Sequence, residues 1–428
     1  MKKLFLCACL LLFTAISNAQ IKGILDRAKQ KAGKKANEKV DKTIDKTVDP
    51  SSDQTDKPVN ESEKKTPGDA ETTSTATPGT DPAKDSKNEP GSIKAYSKYD
   101  FVPGEKIVAY EDFAQDAVGD FPDKWNTNAS GETVTIEGKP GHWLMINRQG
   151  VFMPEFIDSI PDNFSFEFDL LCDNPRGIWA LYTSIATLAD RNHPESWQQA
   201  DSRFTFTVSP QADGNGSSTV ERRKDGVGEA ATSSNTKQFS DKIKLVHIAM
   251  WRQKERVRVY FNEEKVWDLP KAMSKDAKYN SIVYWLQGPG QNASYFMSNL
   301  RLAVGAPDTR NKILTESKWV THGILFDVNS ADIKPESFGT MKEMANVLKE
   351  YPDLKVKIVG HTDADGKDAD NLDLSKRRAA SVKTALAKEF SIDESRMETD
   401  GKGESEPIDK NNTPAAKANN RRVEFIKL

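Results

Sequence analysis

The stretch Leu354-Lys355-Val356-Lys357-Ile358-Val359-Gly360-His361-Thr362-Asp363 decides how this chain is read. Leu354 to Val359 has the composition of a strand, and Gly360 is expected to let the chain turn out of the sheet. Asp363 then sits just past the strand end. A second block, Leu374-Ser375-Lys376-Arg377-Arg378-Ala379, opens a helix expected to run to Phe390, with Ala379, Val382, Ala385 and Leu386 facing inward. Arg378 lies one turn into that helix, so its long side chain can swing back over the loop. A third block, Asn420-Arg421-Arg422-Val423-Glu424, leads into a strand reaching Ile426. Together these blocks place one fixed carboxylate and two fixed guanidiniums on neighbouring elements. Such a pocket suits a zwitterion, and the planar fork of arginine engages a carboxylate with two hydrogen bonds, which lysine cannot do. Asn371, expected in the same loop, can both donate and accept, while Asn329 and Arg421 arrive from other elements.

Upstream, Ile324 to Asn329 reads as a first apolar strand. Pro335 to Lys349 reads as an amphipathic helix with Phe338, Met341, Met344, Ala345 and Leu348 on one face. With a further strand at Met397-Glu398-Thr399, the segment 315–428 is expected to be an α+β domain of βαβ type. The order and spacing of its three blocks resemble the OmpA C-terminal-like family, from about Gly323 to Leu428. The resemblance implies a domain that grips peptidoglycan in Gram-negative bacteria by holding diaminopimelate of the stem peptide. On that pattern Asp363 receives the ligand's ammonium and Arg378 its carboxylate, with Asn329, Asn371 and Arg421 completing the cage. Without the resemblance, Asp363 and Arg378 read equally well as a structural salt bridge fixing loop to helix. Arg377 is expected to face solvent, and Arg422 to neutralise Glu424 or a loop carboxylate.

His361 stands near Asp365, Asp368 and Asp370, but that loop lacks the glycine and terminal glutamate spacing of a calcium loop. None of the five histidines has a ligand-spaced partner. No metal and no cofactor is expected. No Ser-His-Asp constellation, glycine-rich phosphate loop or Cys-His pair can be assembled, so the domain is expected to be non-enzymatic.

The segment 93–307 has a different texture of aromatics, turns and short alternating runs. Phe164, Phe166, Phe168 and Leu170 alternate on one face; Arg256 to Phe261 pairs through Asn262-Glu263-Glu264-Lys265 with Val266 to Leu269; Asn299 to Val304 looks like a closing strand. This predicts an antiparallel β-sandwich, similar to the concanavalin-like, laminin-G-type jelly rolls. A glycan or protein ligand is expected for it. Glycosidases of that class carry Glu-x-Asp-x-x-Glu; here Glu167-Phe168-Asp169 is followed by Leu170-Leu171-Cys172, so the third carboxylate is missing. Trp179, Trp197 and Trp285 read first as core. A membrane barrel is disfavoured, because the strands are short and broken by polar stretches such as Ser209 to Lys237.

At the start of the chain, Lys2 and Lys3 precede the apolar run Leu4 to Ile16, and Ser17-Asn18-Ala19 offers a small-x-small cleavage site, so 1–19 reads as a secretory signal. Cys7 and Cys9 lie at the front of the run, not after it, which argues against lipid attachment. Residues 20–48 read as a Lys/Ala-rich basic helix, either solvated or touching anionic lipid of the outer membrane or cell-wall polymer. Residues 49–92, low in apolar and rich in Ser, Thr, Pro, Asp and Lys, are expected to be a disordered tether with a reach on the order of 35 Å. Once the signal is gone Cys172 is the only cysteine, which excludes an intramolecular disulfide. With 61 Lys+Arg against 64 Asp+Glu, nucleic acid is not an expected partner.

The combined expectation is a multidomain protein of the periplasm or cell envelope of a Gram-negative bacterium, associated with the outer membrane and cell wall and anchored to peptidoglycan. The alternative is a cell-wall or glycan hydrolase whose sandwich is catalytic and whose C-terminal domain targets it.

Overall fold

A computed structural model describes residues 99–428 other than 212, 241, 289, 306 and 307. The signal segment, the basic helix and the tether expected at 1–92 lie outside the described residues.

The alternating run around Phe166 forms β2 (Asn163–Cys172), the middle of an eight-stranded antiparallel sheet. Its neighbours are β3 (Leu245–Gln253) on one side and β4 (Tyr295–Val304) on the other. Arg256–Phe261 and Glu264–Leu269 extend the sheet beyond β3 as the expected hairpin, and Asn262 turns it with φ 51°. Beyond β4 lie Lys139–Ile146 and Glu132–Ile136, and the far end of β4 also pairs with β1 (Lys106–Glu111).

A second sheet of eight strands is centred on Arg203–Val208, Leu181–Ala186 and Ser281–Leu286. Part of the stretch Ser209 to Lys237, expected to be a polar loop, instead supplies strands Gly216–Lys224, Val227–Gly228 and Thr232–Thr236. Their polar residues were compatible with an edge hairpin, whose outer faces meet water. The two sheets bury one common core, to which Phe164, Phe166 and Phe168 come from the first and Ile185, Phe204 and Phe206 from the second. The strands thus form two sheets and not one closed cylinder. Cys172 is buried, and burial pushes its thiol up to about 12, so it is an inert core residue. Of the three tryptophans, Trp197 is buried and Trp285 partly so, whereas Trp179 is 53% exposed.

The C-terminal domain is a four-stranded mixed sheet in the order β5 (Lys318–Thr321), β8 (Val423–Lys427), β6 (Val356–His361), β7 (Met397–Gly403). β6 runs parallel to β7 and antiparallel to β8. Four helices accompany it: α1 (Thr309–Thr315), α2 (Phe338–Glu350), α3 (Asp368–Phe390) and α4 (Pro414–Asn420).

Three local expectations are corrected. Ile324 to Asn329 is not a strand; its only ladder contact is an isolated bridge from Phe326 to Ile333, and β5 lies earlier in the chain. Gly360 does not release the chain from the sheet but lies within β6, where a Cβ would collide with the Ser375 carbonyl. Gly401 on β7 meets α3 in the same way, so both glycines exist to let α3 lie close to the sheet. Finally, α3 begins at Asp368, not Leu374, because Asp368 and Asp370 favour the positive end of a helix. Asn371 is therefore helical.

The sandwich and the C-terminal domain belong to one compact unit. Asn419 at the end of α4 clamps β1 by accepting from the Ile107 N–H (3.0 Å) and donating to the Ile107 carbonyl (2.8 Å). Lys312 on α1 pairs with Glu105 at 3.0 Å.

Candidate functional site

The end of β6 fixes Asp363. The His361 N–H reaches the Arg422 carbonyl (3.0 Å) and the Thr362 N–H the Gly403 carbonyl (2.9 Å), so the chain is held from both flanking strands one residue before the aspartate. Asp363 is 9% exposed: one carboxylate oxygen accepts from the Asp365 N–H (3.1 Å), the other from Arg421 Nη1 (2.5 Å). The carboxylate is thus paired with Arg421 and not with Arg378, the partner anticipated for a structural salt bridge.

Arg378 instead reaches the loop after Ile324. Its Nε donates to the Ser330 carbonyl (3.0 Å), Nη2 lies 3.5 Å from the Asp327 carbonyl, and the guanidinium rests over Phe326 at 4.9 Å. Burial and the neighbouring Arg421 charge lower this guanidinium to about 10, against the pull of Asp363. A carboxylate arriving beside Arg378 would offset the repulsion from Arg421. Arg378 also steadies the turn Asp327-Val328-Asn329-Ser330, at whose tip Asn329 is exposed with φ 53°, a conformation asparagine tolerates.

Asn371 is buried, one turn into α3. Its Nδ2 donates to the Glu404 carboxylate (2.5 Å) and to the carbonyls of Asp365 (3.1 Å) and Asp363 (3.3 Å). It therefore ties the acidic loop to the β7 end and shapes the rim of the site. Lys417 closes the same loop on Asp365 at 2.7 Å.

Arg377 is exposed and pairs with Asp373 along the helix at 2.7 Å. Arg422 is buried and donates from Nε to Glu424 (2.8 Å), with Nη2 at 2.8 Å from the same carboxylate oxygen and bonded to the Glu406 carbonyl (3.0 Å). Burial raises the Glu424 carboxyl, yet His361, Lys318 and Arg422 outweigh it and hold Glu424 at about 2. Among the described residues no group of histidine, cysteine and acidic side chains is arranged to hold a metal ion.

Two participants were missed. Glu404 gives no signal of its own in the stretch Gly403-Glu404-Ser405. Tyr110 belongs to β1 of the sandwich, and its ring carries the Arg421 guanidinium at 5.1 Å. Nothing local in the sequence points from one to the other, because they stand at opposite ends of the described chain, at positions 110 and 421.

Comparison with known families matches residues 325–421 to the OmpA family. This segment is an OmpA-family domain. Similar proteins include outer membrane porin F of Pseudomonas fluorescens, 44% identical over 101 residues, which are 24% of this chain and 31% of that one. The probable lipoprotein YiaD of Escherichia coli is 44% identical over 104 residues, covering 24% of this chain and 47% of the relative. The chain thus spans less than half the length of these two relatives. Among solved structures, the peptidoglycan-associated lipoprotein from Burkholderia pseudomallei is 26% identical, with 28% of this chain and 98% of that chain covered and a TM-score of 0.24.

The carboxylates of the sandwich are differently placed. Glu167 on β2 is buried and takes Arg301 Nη2 at 2.6 Å and His247 Nε2 at 3.3 Å. Asp169 meets His247 Nδ1 at 2.7 Å and Asn299 Nδ2 at 2.8 Å. Burial lowers His247, but its hydrogen bonds to Asp169 and Glu167 lift it to about 10, so it is a cation held between two anions. A recess of about 390 Å³ opens elsewhere on the sandwich, with Trp179, Gln211, Gln287 and Gln291 among its lining.

Proposed function

We propose that this chain is an exported, non-enzymatic anchor that binds peptidoglycan non-covalently, holding diaminopimelate of the stem peptide in the C-terminal domain. The observation that carries this reading is the charge arrangement at the end of β6: one buried carboxylate, Asp363, with two guanidiniums, Arg378 and the partly exposed Arg421, beside it. A free α-amino acid group presents one ammonium and one carboxylate at fixed separation, which such a set answers. Asp363 takes the ammonium, Arg378 the carboxylate through its fork, and Asn329, Asn371 and Arg421 complete the cage. Arg421 occupies a cation position on Asp363, which an arriving ammonium would share or take over. The OmpA-family match and the envelope names of the relatives support a place in the periplasm at the outer membrane and cell wall.

The sandwich we read as a concanavalin-like jelly roll that takes a glycan or protein ligand, with the Trp179 recess as the supporting feature. Its acidic pair favours binding over hydrolysis. Glu167 and Asp169 are neutralised by Arg301 and His247, and neither is free to act as acid or nucleophile.

Co-sedimentation of the full chain with isolated sacculi tests the anchor. Wild type is expected in the pellet and Asp363→Ala and Arg378→Ala proteins in the supernatant. If both variants pellet like wild type, the pocket is assigned wrongly.

A further inference from the structure

Arg421 is held from two sides. Its Nη1 meets Asp363 of the C-terminal domain at 2.5 Å, and its guanidinium lies over the ring of Tyr110, on the first strand of the sandwich, at 5.1 Å. The main chain next to it is pinned by the same strand, through the paired hydrogen bonds between Asn419 and Ile107.

Tyr110 is itself fixed from beneath. Its hydroxyl donates to Asn299 Oδ1 (3.2 Å), Asn299 donates to Asp169 (2.8 Å), and Asp169 is clamped by protonated His247 (2.7 Å). The same network returns to the C-terminal domain: Arg301, paired with Glu167, donates to the His322 carbonyl (2.8 Å), and His322 Nε2 lies 2.9 Å from the Asn419 carbonyl. Asn419 stands two residues before Arg421. The buried charges of the sandwich therefore set both the ring under the arginine and the backbone that presents it.

We infer that the sandwich builds one wall of the zwitterion pocket, and that Tyr110 is a positioning residue that keeps Arg421 against Asp363. The inference rests on the reading of the pocket given above. An arginine on a flexible stem loses rotamer freedom whenever it is ordered by a ligand; one already laid on an aromatic ring does not. Release of Arg421 from Asp363 towards a ligand carboxylate can then occur by a small swing over the ring, with the cation–π contact kept. Segment 315–428 alone lacks this wall.

The test uses the full chain and a diaminopimelate-containing stem peptide, with affinity by calorimetry and folding by thermal melting. Tyr110→Ala is expected to weaken binding by roughly tenfold, the upper cost of ordering one rotamer-rich side chain on binding. Tyr110→Phe keeps the ring and is expected to bind within about threefold of wild type, although it loses the hydrogen bond to Asn299 and melts lower. That split between affinity and melting is what a purely structural role does not give. If Tyr110→Ala fails to fold, Tyr110→Leu replaces it, with the same expected loss. Wild-type affinity in the Ala or Leu variant overturns the inference, as does an equal loss in Tyr110→Phe. Asp363→Ala is run alongside. If it loses binding while Tyr110→Ala does not, the pocket stands and only the role of Tyr110 falls. If Asp363→Ala binds like wild type, the pocket reading itself fails and takes this inference with it.

Discussion

The chain contains two clusters made from the same chemistry, and they do opposite things. In the sandwich, Glu167, Asp169, His247 and Arg301 are closed on one another, with both carboxylates and both cations paired and Glu167 and Arg301 under 10% exposed. In the C-terminal domain, Asp363, Arg378 and Arg421 are left with more cations than anions, and Arg421's side chain is 35% exposed. A closed cluster fixes a structure, because every charge is already answered. An open one, with a repelled guanidinium at its rim, is suited to accept a charged ligand. Residue type does not separate the two; saturation does.

The largest expected effect breaks the closed cluster. Glu167→Ala leaves Arg301 and His247 buried without their shared anion, which typically costs about 3–5 kcal/mol. Denaturant unfolding of the full chain reads this directly, and a loss below about 1 kcal/mol contradicts the description of the cluster as structural. Glu167→Ala is also expected to unsettle Tyr110, so sacculus binding should drop with it.

Next comes pH. His247 is raised from 6.5 to about 10 in the folded chain, so the folded state holds a proton that the unfolded state releases between those values. Its contribution is complete below about 6.5, declines as pH rises and is gone above about 10, with a slope of at most about 1.4 kcal/mol per pH unit. Glu424 works in the opposite sense. Its pKa falls from 4.5 to about 2, so its contribution is present above the higher value and lost as pH drops through the lower one. Melting temperatures across the range should therefore fall at both ends, and in a His247→Gln protein the alkaline decline should flatten. An unchanged alkaline limb removes His247 from the account.

In the open cluster, Arg378→Lys keeps the charge and loses the fork, and a weakening of stem-peptide binding by roughly tenfold is expected with little change in melting. Equal affinity in the two proteins indicates that only charge matters there. Smallest of all is Arg377→Ala. Its pair with Asp373 is exposed and one turn apart, so roughly 0.3–0.5 kcal/mol of stability and no binding are at stake. A binding loss in that variant means the two neighbouring arginines have been assigned the wrong way round.

Much of the C-terminal domain could be read from sequence because its signals are local. Asp363, Arg378 and Arg421 stand in short blocks next to the strands and helix that place them. The difference there is also local: the acidic run Asp368-Ala369-Asp370 reads as a loop around Asn371, yet acidic residues suit a helix start and the helix includes it. In the sandwich, the Phe164–Leu170 alternation and the Asn262 hairpin were legible from periodicity. The pairing of Glu167 and Asp169 with His247 and Arg301 was not, since each partner lies at least 78 residues away and is brought near only by strand order. Tyr110 escaped notice for the same reason, as its neighbour Arg421 belongs to the other domain.

The central claim is that Asp363, Arg378 and Arg421 together read a zwitterion. Calorimetric titration of the full chain with two stem peptides, identical except for diaminopimelate in one and lysine in the other, tests it most directly. The lysine peptide keeps the ammonium and lacks the carboxylate. Binding of the first peptide is expected, with at least about tenfold weaker binding of the second and loss of that preference in Arg378→Ala. Equal affinity for both peptides in the wild-type chain contradicts it.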